Sequence, residues 1–472
     1  MAKSKSKKIW SFFSSLEGDK VVWIITLMLL LLSIVCMFSS TSRLLTSEQT
    51  RLDIVREQFV NVALGLGIII AVYNIRRIGI LKWFSQWGFV LSIVLLIILD
   101  MGGIGPIKAP VLNNARRCLI ISGFQVHVFE IVKVAMVMYL AWAIDTLERD
   151  KFWIANRLSK KEHFHWLATR SAKSMIYLYL PVVATTLAIV PGSNTSAVFI
   201  GGIMFLTLAI GGGRFKELIM LGVVMLALLF GCVGLYQATK TTEHPLFERI
   251  GTGFSRLSGT DYVAKYNEAK KNRDSDAMRQ ALDKLRQPYS ARLAIKQGGF
   301  IGKGPGQSTQ RYVVPDYSED YMFSFIVEEY GLIGAILVMA LFVSLLARGS
   351  LIARNCGGNL FAKTAVAGLA LLISGQAFMH MFVNADFGLL TGQTLPLLSH
   401  GTSAFLCFCV AFGILLSISR IAQARVQSEI REALKDPLMA TNEGEVKATE
   451  EQSTEEEQQI QDDGIQEDTG NN

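Results

Sequence analysis

The chain has 472 residues, 51% of them hydrophobic, with a mean hydropathy of +0.37 and a formal net charge of +7. Apolar content at this level, gathered into long runs, excludes a soluble globular domain and points to a polytopic membrane protein. The basic excess is no nucleic-acid signal, because it falls into separate clusters beside the apolar runs, where it sets topology instead.

The expected fold class is an all-α integral membrane protein, since lipid offers no partner to unpaired backbone groups. About ten runs approach the ~20 residues that cross a bilayer. They centre on 21–39, 58–75, 83–100, 128–146, 174–191, 195–211, 217–237, 321–347, 362–384 and 401–420. The first follows a basic N-terminus, residues 1–20, with no small-residue cleavage site nearby, and is expected to be a retained anchor. The membrane domain spans 21–425, and 426–472 form a tail. Lysine and arginine crowd the N-terminus, Arg76-Arg77, the segment from Arg149 to Lys173, and the stretch from Arg420 to Arg431. With the N-terminus inside, all four lie on the cytoplasmic side, as the positive-inside rule requires. Both termini are then cytoplasmic in a multi-pass cytoplasmic-membrane protein.

Two segments break the rhythm. Residues 238–320 form one large extracytoplasmic loop, with a charged surface helical piece from Asp261 to Arg286 and an end rich in Gly, Ser and Pro. Loops this long inside a compact protein usually carry function. From about 437 the tail is dominated by Glu, Gln, Asp, Thr and Asn, a composition that cannot bury enough apolar surface to order itself. The six cysteines and six histidines show no metal-ligand spacing. Cys118 and Cys356 fall on opposite sides of the membrane and cannot pair.

Counting spans places five polar or glycine-rich clusters at the outer surface: Asn113 to Arg117, Glu130 with Lys133, Gly192 to Ser196, the loop ending at Asp320, and Thr391 to Ser403. Glu130 and Lys133 are three apart on one helix face. They can form an ion pair inside the bundle, or Lys133 with Arg116 or Arg117 can offer positive charge to an anionic head group such as pyrophosphate. Gly302, Gly304 and Gly306 alternate ahead of Ser308, but the flanking strand, helix and lysine of a phosphate loop are missing. Plain flexibility is the alternative reading. Asp320 stands at the mouth of an apolar helix and has three readings: a helix N-cap, an ion ligand in a transporter, or a general base. Glu328 and Glu329 lie two turns deeper, where burial demands a partner, and are read as structural or substrate-path residues.

Taken in order, these motifs closely resemble the SEDS family (FtsW, RodA, SpoVE), membrane enzymes that polymerise lipid II into peptidoglycan glycan strands. That family has Ala-Arg-Arg, here Ala115-Arg116-Arg117, and Gln-Pro-Ser-Glu-x-x-Lys, here His127-Val128-Phe129-Glu130-Ile131-Val132-Lys133. Its Ser, Ala-Ile and spaced glycines match Ser290, Ala294-Ile295, Gly298-Gly299 and Gly302. Its Pro-acid-x-x-x-Asp matches Pro315-Asp316 and Asp320, and its Thr-Gly, Leu-Pro and Ser-x-Gly-Gly-Ser-Ser match Thr391-Gly392, Leu395-Pro396 and Ser399 to Ser403. The departures are Val128, Phe129, Asp386, Leu389 and Thr402. The resemblance implies a septal peptidoglycan glycosyltransferase with Asp320 as catalytic base. Arg116, Arg117, Glu130, Lys133, Ser308, Thr391 and Ser399 would bind substrate. It further implies lipid II and undecaprenyl-pyrophosphate-linked glycan as substrates, and a class B penicillin-binding transpeptidase among other division proteins as partners. A divalent cation, Mg or Mn, could share the pyrophosphate. The alternatives are a lipid-linked precursor flippase or a non-catalytic division scaffold.

Overall fold

The computed structural model describes residues 17–40, 51–112, 115–239, 262–313, 317–385, 387 and 392–433. The acidic tail, Asp316, Asp386, Leu389 and Thr391 lie outside the described residues. A helix stands at each of the ten predicted segments: α1 (Lys20–Ser40), α2 (Arg51–Tyr73), α3 (Ile78–Met101), α4 (Val128–Glu148), a composite span over 170–189, α8 (Asn194–Ile210), α9 (Phe215–Thr239), α12 (Met322–Asn355), α13 (Leu360–Asn384) and α14 (Thr402–Ala433). A short α5 (Trp153–Leu158) precedes the composite span. That span joins α6 (Arg170–Ser174) to α7 (Leu180–Ile189) through a π-turn at Met175–Tyr179, just ahead of Pro181. Proline cannot supply the backbone donor that a regular turn needs. Among the described residues seven helices are long and apolar enough to cross a membrane. The chain is an integral membrane helical bundle.

Helix α13 is the hub, packed against α12, α4, α8 and α14. Small residues let the backbones close up: a Cβ on Gly349 would stand 2.4 Å from that of Ala370, and one on Gly368 would stand 2.7 Å from a Val137 methyl. Such close approach supplies packing energy where lipid is as apolar as the helix surface. The start of α1 and the later part of α14 meet at one end of the bundle. There Arg348 Nε donates to Asp19 Oδ2 (2.8 Å), Gly18 N donates to Gln423 Oε1 (2.6 Å) and Lys82 pairs with Asp145 (2.5 Å). At the opposite end, α1 finishes against the start of α12, where Ser39 Oγ donates to Glu329.

Periodicity did not foresee a small antiparallel sheet between α3 and α4, in the order β1 (Gly103–Ile104), β2 (Ile107–Lys108), β5 (Cys118–Ile121), β6 (Phe124–His127), beside the pair β3 (Val111–Leu112) and β4 (Ala115–Arg116). Its hairpin signal was short. Ser122 (φ 50°) and Gly123 (φ 87°) form a two-residue turn between Ile121 and Phe124, the double positive-φ geometry that matches strand twist. The charged helical piece of the loop is two helices, α10 (Tyr262–Lys271) and α11 (Ser275–Gly298), and α11 lies against α12. Asp274 caps α11 by accepting from Asp276 N (3.1 Å) and Ala277 N (3.0 Å).

The glycine-rich segment after α11 is a packed element. Helix α12 breaks at Gly331 (φ 66°), and the loop supplies the missing backbone partners. Lys303 N and Gly304 N donate to the carbonyls of Glu328 (2.9 Å) and Glu329 (3.0 Å), while Leu332 N donates to Gly299 O (3.0 Å). A Cβ on Gly331 would sit 2.4 Å from Phe300 O, and one on Gly302 would sit 2.2 Å from Glu329 O. Gly331→Ala should therefore destabilise the protein by about 1–3 kcal/mol for the backbone conformation alone, with the clash added. Gly67→Ala, inside α2 with open space around it, should be neutral or stabilising by up to about 1 kcal/mol, since alanine is the better helix former. Thermal unfolding of both variants in detergent checks this.

Candidate functional site

The start of α12 is held from outside the helix. Its N-cap position is Tyr321, with no side-chain cap there. The amides of the first turn go to α13 instead: Phe323 N donates to His380 Nε2 (3.3 Å) and Ser324 N to Asn384 Oδ1 (3.0 Å). Those two orphan donors, which a helix start must satisfy, do not need Asp320. Asp320 lies just before this start and is half-buried.

The loop 392–401 lies over the same place. His400 N donates to Ser318 O (2.9 Å), and Ser399 Oγ donates to Glu319 O (2.8 Å) while accepting from Leu395 N (2.8 Å). A Cβ on Gly392 would stand 3.6 and 3.7 Å from the two carboxylate oxygens of Asp320 and 3.7 Å from Arg117 Nη1. Carboxylate and guanidinium thus flank the same small volume. Arg117 reaches it from the chain before α4 and donates from Nε to Gly192 O (3.2 Å), at the loop before α8.

Gln393, the next residue, carries the network inward. Its Nε2 donates to Ser196 Oγ (2.7 Å), and its Oε1 accepts from Lys133 Nζ (2.6 Å). Lys133 also donates to Glu130 Oε1 (2.6 Å) and Gln376 Oε1 (2.7 Å). An ammonium has three donors, so all are engaged, in a side chain only 1% exposed. Glu130 Oε2 is buried without a hydrogen-bond partner among the described residues. Just outside α4, burial holds His127 below its ordinary pKa, with Lys133 and Arg117 reinforcing and Glu130 opposing.

The structure separates the predicted site residues. Asp320, Arg117 and the Gly392-Gln393 turn come together, and Lys133 with Glu130 joins them through Gln393. Arg116 points elsewhere: its Nη1 donates to Asp100 O (2.8 Å), and its guanidinium lies 3.1–3.2 Å from where a Gly102 Cβ would be. Ser308 is 1% exposed and donates to Glu328, so its hydroxyl is committed to a structural carboxylate. Ser399 ties two loops through backbone groups. Thr391 lies outside the described residues. Phe129, which replaces the serine of the resembled motif, occupies space that requires Gly192: a Cβ there would sit 2.4 Å from the ring.

Glu328 and Glu329 anchor the glycine-rich segment. Glu328 accepts from Lys303 Nζ (2.6 Å), Thr309 N (2.9 Å), Thr309 Oγ1 (2.9 Å) and Tyr317 OH (3.0 Å), as well as from Ser308. Burial, with the Glu328 charge beside it, holds the Tyr317 hydroxyl well above its ordinary pKa, so it stays a donor. Glu329 accepts from Gly306 N (3.1 Å) and Ser308 N (3.3 Å) and lies 3.8 Å from Arg311 Nη1. These donors satisfy carboxylate oxygens that burial would otherwise leave unpaired.

Gln376, His380 and Asn384 belong to no motif in the sequence, and Gln393 enters only as a member of the Thr391 to Ser403 cluster. A signal was present: Gln376, His380 and Asn384 recur every fourth residue in an apolar helix and so share one face, and polar groups inside a span mark functional faces. Among the described residues no group of three or more His, Cys, Asp or Glu side chains could hold a metal ion, so no ligand set is assigned to a cation.

A family model described as "Cell cycle protein", covering FtsW, RodA and SpoVE, matches residues 19–424. The chain belongs to this family. FtsW/RodA/SpoVE relatives include stage V sporulation protein E of Bacillus subtilis, 25% identical over 86% of this chain and 98% of its own length. A probable peptidoglycan glycosyltransferase FtsW of Hahella chejuensis is 27% identical over 74% of this chain and 77% of its own. Among solved structures, Thermus thermophilus RodA aligns with a TM-score of 0.51 at 19% identity, covering 86% of this chain and 98% of that one. A chain from a structure described as the structural coordination of polymerization and crosslinking by a peptidoglycan synthase complex aligns at 0.58, also at 19% identity, over 86% and 98%. Both structures share the bundle architecture.

Proposed function

We propose that this protein is a peptidoglycan glycosyltransferase that polymerises lipid II at the outer face of the cytoplasmic membrane during septal wall synthesis. The observation that carries the reading is that the Asp320 carboxylate and the Arg117 guanidinium border the same space beside Gly392. The acceptor's GlcNAc 4-hydroxyl attacks the anomeric carbon of the lipid-linked strand. A C–O bond forms there as the bond to undecaprenyl pyrophosphate breaks, and the hydroxyl proton passes to Asp320. A sugar hydroxyl is a poor nucleophile at neutral pH, which is why a positioned base helps. Arg117 opposes the charge that develops on the departing pyrophosphate, an electrostatic contribution. Lys133 acts on the same reaction through Gln393, the neighbour of Gly392. The relatives named as probable peptidoglycan glycosyltransferases support the substrate class. The structural likeness to a chain of a peptidoglycan synthase complex supports a class B penicillin-binding transpeptidase as partner. Purified protein with labelled lipid II, alone and with its cognate transpeptidase, tests the proposal: glycan polymer is expected, and none with the correct partner present would refute it.

The proposed orientation puts both termini and the 149–173 segment in the cytoplasm and the 238–320 loop outside. Its support is the one-sided Lys/Arg distribution and the meeting of the start of α1 with the later part of α14 at the basic end of the bundle. In a background lacking the six native cysteines, an impermeant thiol reagent added outside should label Asn272→Cys, an exposed position, and spare the equally exposed Lys160→Cys. The reverse pattern would invert every assignment of side.

A further inference from the structure

Helix α13 presents Asn384 and His380, one turn apart, to both strands of chain that form the site. The Asn384 carboxamide is fully used. Oδ1 accepts from Ser324 N (3.0 Å) and Ser324 Oγ (2.8 Å), and Nδ2 donates to His380 O (2.9 Å) and to the carbonyl of Asp320 itself (3.1 Å). His380 is bound at both ring nitrogens. Because Nε2 accepts from Phe323 N, the ring proton sits on Nδ1 and is donated to Gln393 O (2.7 Å). Both side chains are 1% exposed. Neither faces the space beside Gly392. One holds the backbone of Asp320, and the other ties the start of α12 to the turn that carries Gly392 and Gln393.

We infer that Asn384 and His380 are positioning residues that set where the Asp320 carboxylate stands relative to Gly392 and Arg117. The inference rests on the proposed catalytic role of Asp320. Asp320 precedes the first residue of α12, so its φ and ψ are free to vary unless something outside the helix fixes them. Asn384 fixes the carbonyl of Asp320 and the amide four residues on, which leaves the intervening turn one placement. His380 fixes the facing loop from the same helix, so the two halves of the site move together with α13. A base displaced by about 1 Å from its proton can cost about 10²-fold in rate without any change in the base itself.

The test compares Asn384→Ala with Ser374→Ala. Ser374 Oγ donates to Phe342 O (2.9 Å) and so ties α13 to α12 away from the site. Each variant removes a buried tie between the same two helices. Steady-state polymerisation of lipid II by the transpeptidase complex should show kcat lowered about 10- to 100-fold in Asn384→Ala, with KM for lipid II nearly unchanged. Ser374→Ala, which removes one buried hydrogen bond rather than four, should lose some thermal stability and keep its kcat. His380→Gln, whose amide can accept at one atom and donate from the other, should retain more kcat than His380→Ala. If Asn384→Ala keeps wild-type kcat while Asp320→Asn is inactive, the positioning role is wrong and the catalytic assignment stands. If Ser374→Ala loses kcat in step with Asn384→Ala, the effect is general loosening of the bundle, and the inference falls. If Asp320→Asn is itself active, the catalytic reading has failed first.

Discussion

Asp320→Asn is expected to lower glycan polymerisation by about 10²–10⁴-fold, the contribution of a positioned general base, in a protein that still folds and co-purifies with its transpeptidase. The amide is nearly isosteric with the carboxylate but accepts no proton near neutral pH. Folding should survive because two amides of the first turn of α12 are satisfied by His380 and Asn384, and asparagine is itself a favourable residue at a helix start. Partner binding should survive because the change removes no apolar contact area. The measurements are polymer yield and length from lipid II, thermal unfolding, and co-purification in parallel. Polymerisation near the wild-type rate would remove Asp320 from the chemistry. Loss of folded protein would instead mark it as structural.

Lys133→Met should be the most destabilising single change near the site, by about 3–5 kcal/mol, the cost of leaving the partner of a buried ion pair uncompensated. Three acceptors lose their donor at once: Glu130, Gln376 and Gln393. Against a total stability of about 5–15 kcal/mol, much of the protein should fail to accumulate. Glu130→Gln added to Lys133→Met removes the stranded charge and should recover most of the lost stability. The two readings of this pair then separate. If the double variant folds but does not polymerise, the ammonium serves the reaction. If it folds and polymerises, the pair serves packing. Unfolding in detergent and the lipid II assay, run on both variants, decide between them. If the double variant is no more stable than Lys133→Met, an uncompensated Glu130 is not the cause of the loss.

Much of this protein was legible in its sequence because lipid narrows the choices. A run of apolar residues in a bilayer has to be a helix, and each of the ten predicted segments is one in the structure. Lys/Arg clusters set a topology proposal without any coordinates, and counting from it gathered Arg117, Glu130, Ser196, Asp320 and Ser399 at one end, where the described members do meet. The small sheet before α4 escaped because its strands are two to four residues long, too short for a period to register. The glycine-rich segment could be read as flexible because sequence shows a missing side chain but not what fills its place. Only the packed chain reveals that Gly302 and Gly331 exist to let two backbones exchange hydrogen bonds across the break in α12.

The site divides in the same way. Residue type and position along the chain were enough to nominate Asp320, Arg117 and Lys133, because charged groups at the edge of hydrocarbon are costly and therefore rare. Tertiary structure alone decided what each one touches. Arg116 and Arg117 are adjacent in sequence, yet one binds the end of α3 and the other borders the space beside Gly392 together with Asp320. Ser308, chosen as a substrate contact, is folded onto Glu328. Asn384 and Asp320 are 64 residues apart and joined by one hydrogen bond. A sequence sets the chemical menu and the local period. Which groups meet depends on how helices cross and where loops return, and those distances exist only once the chain is packed.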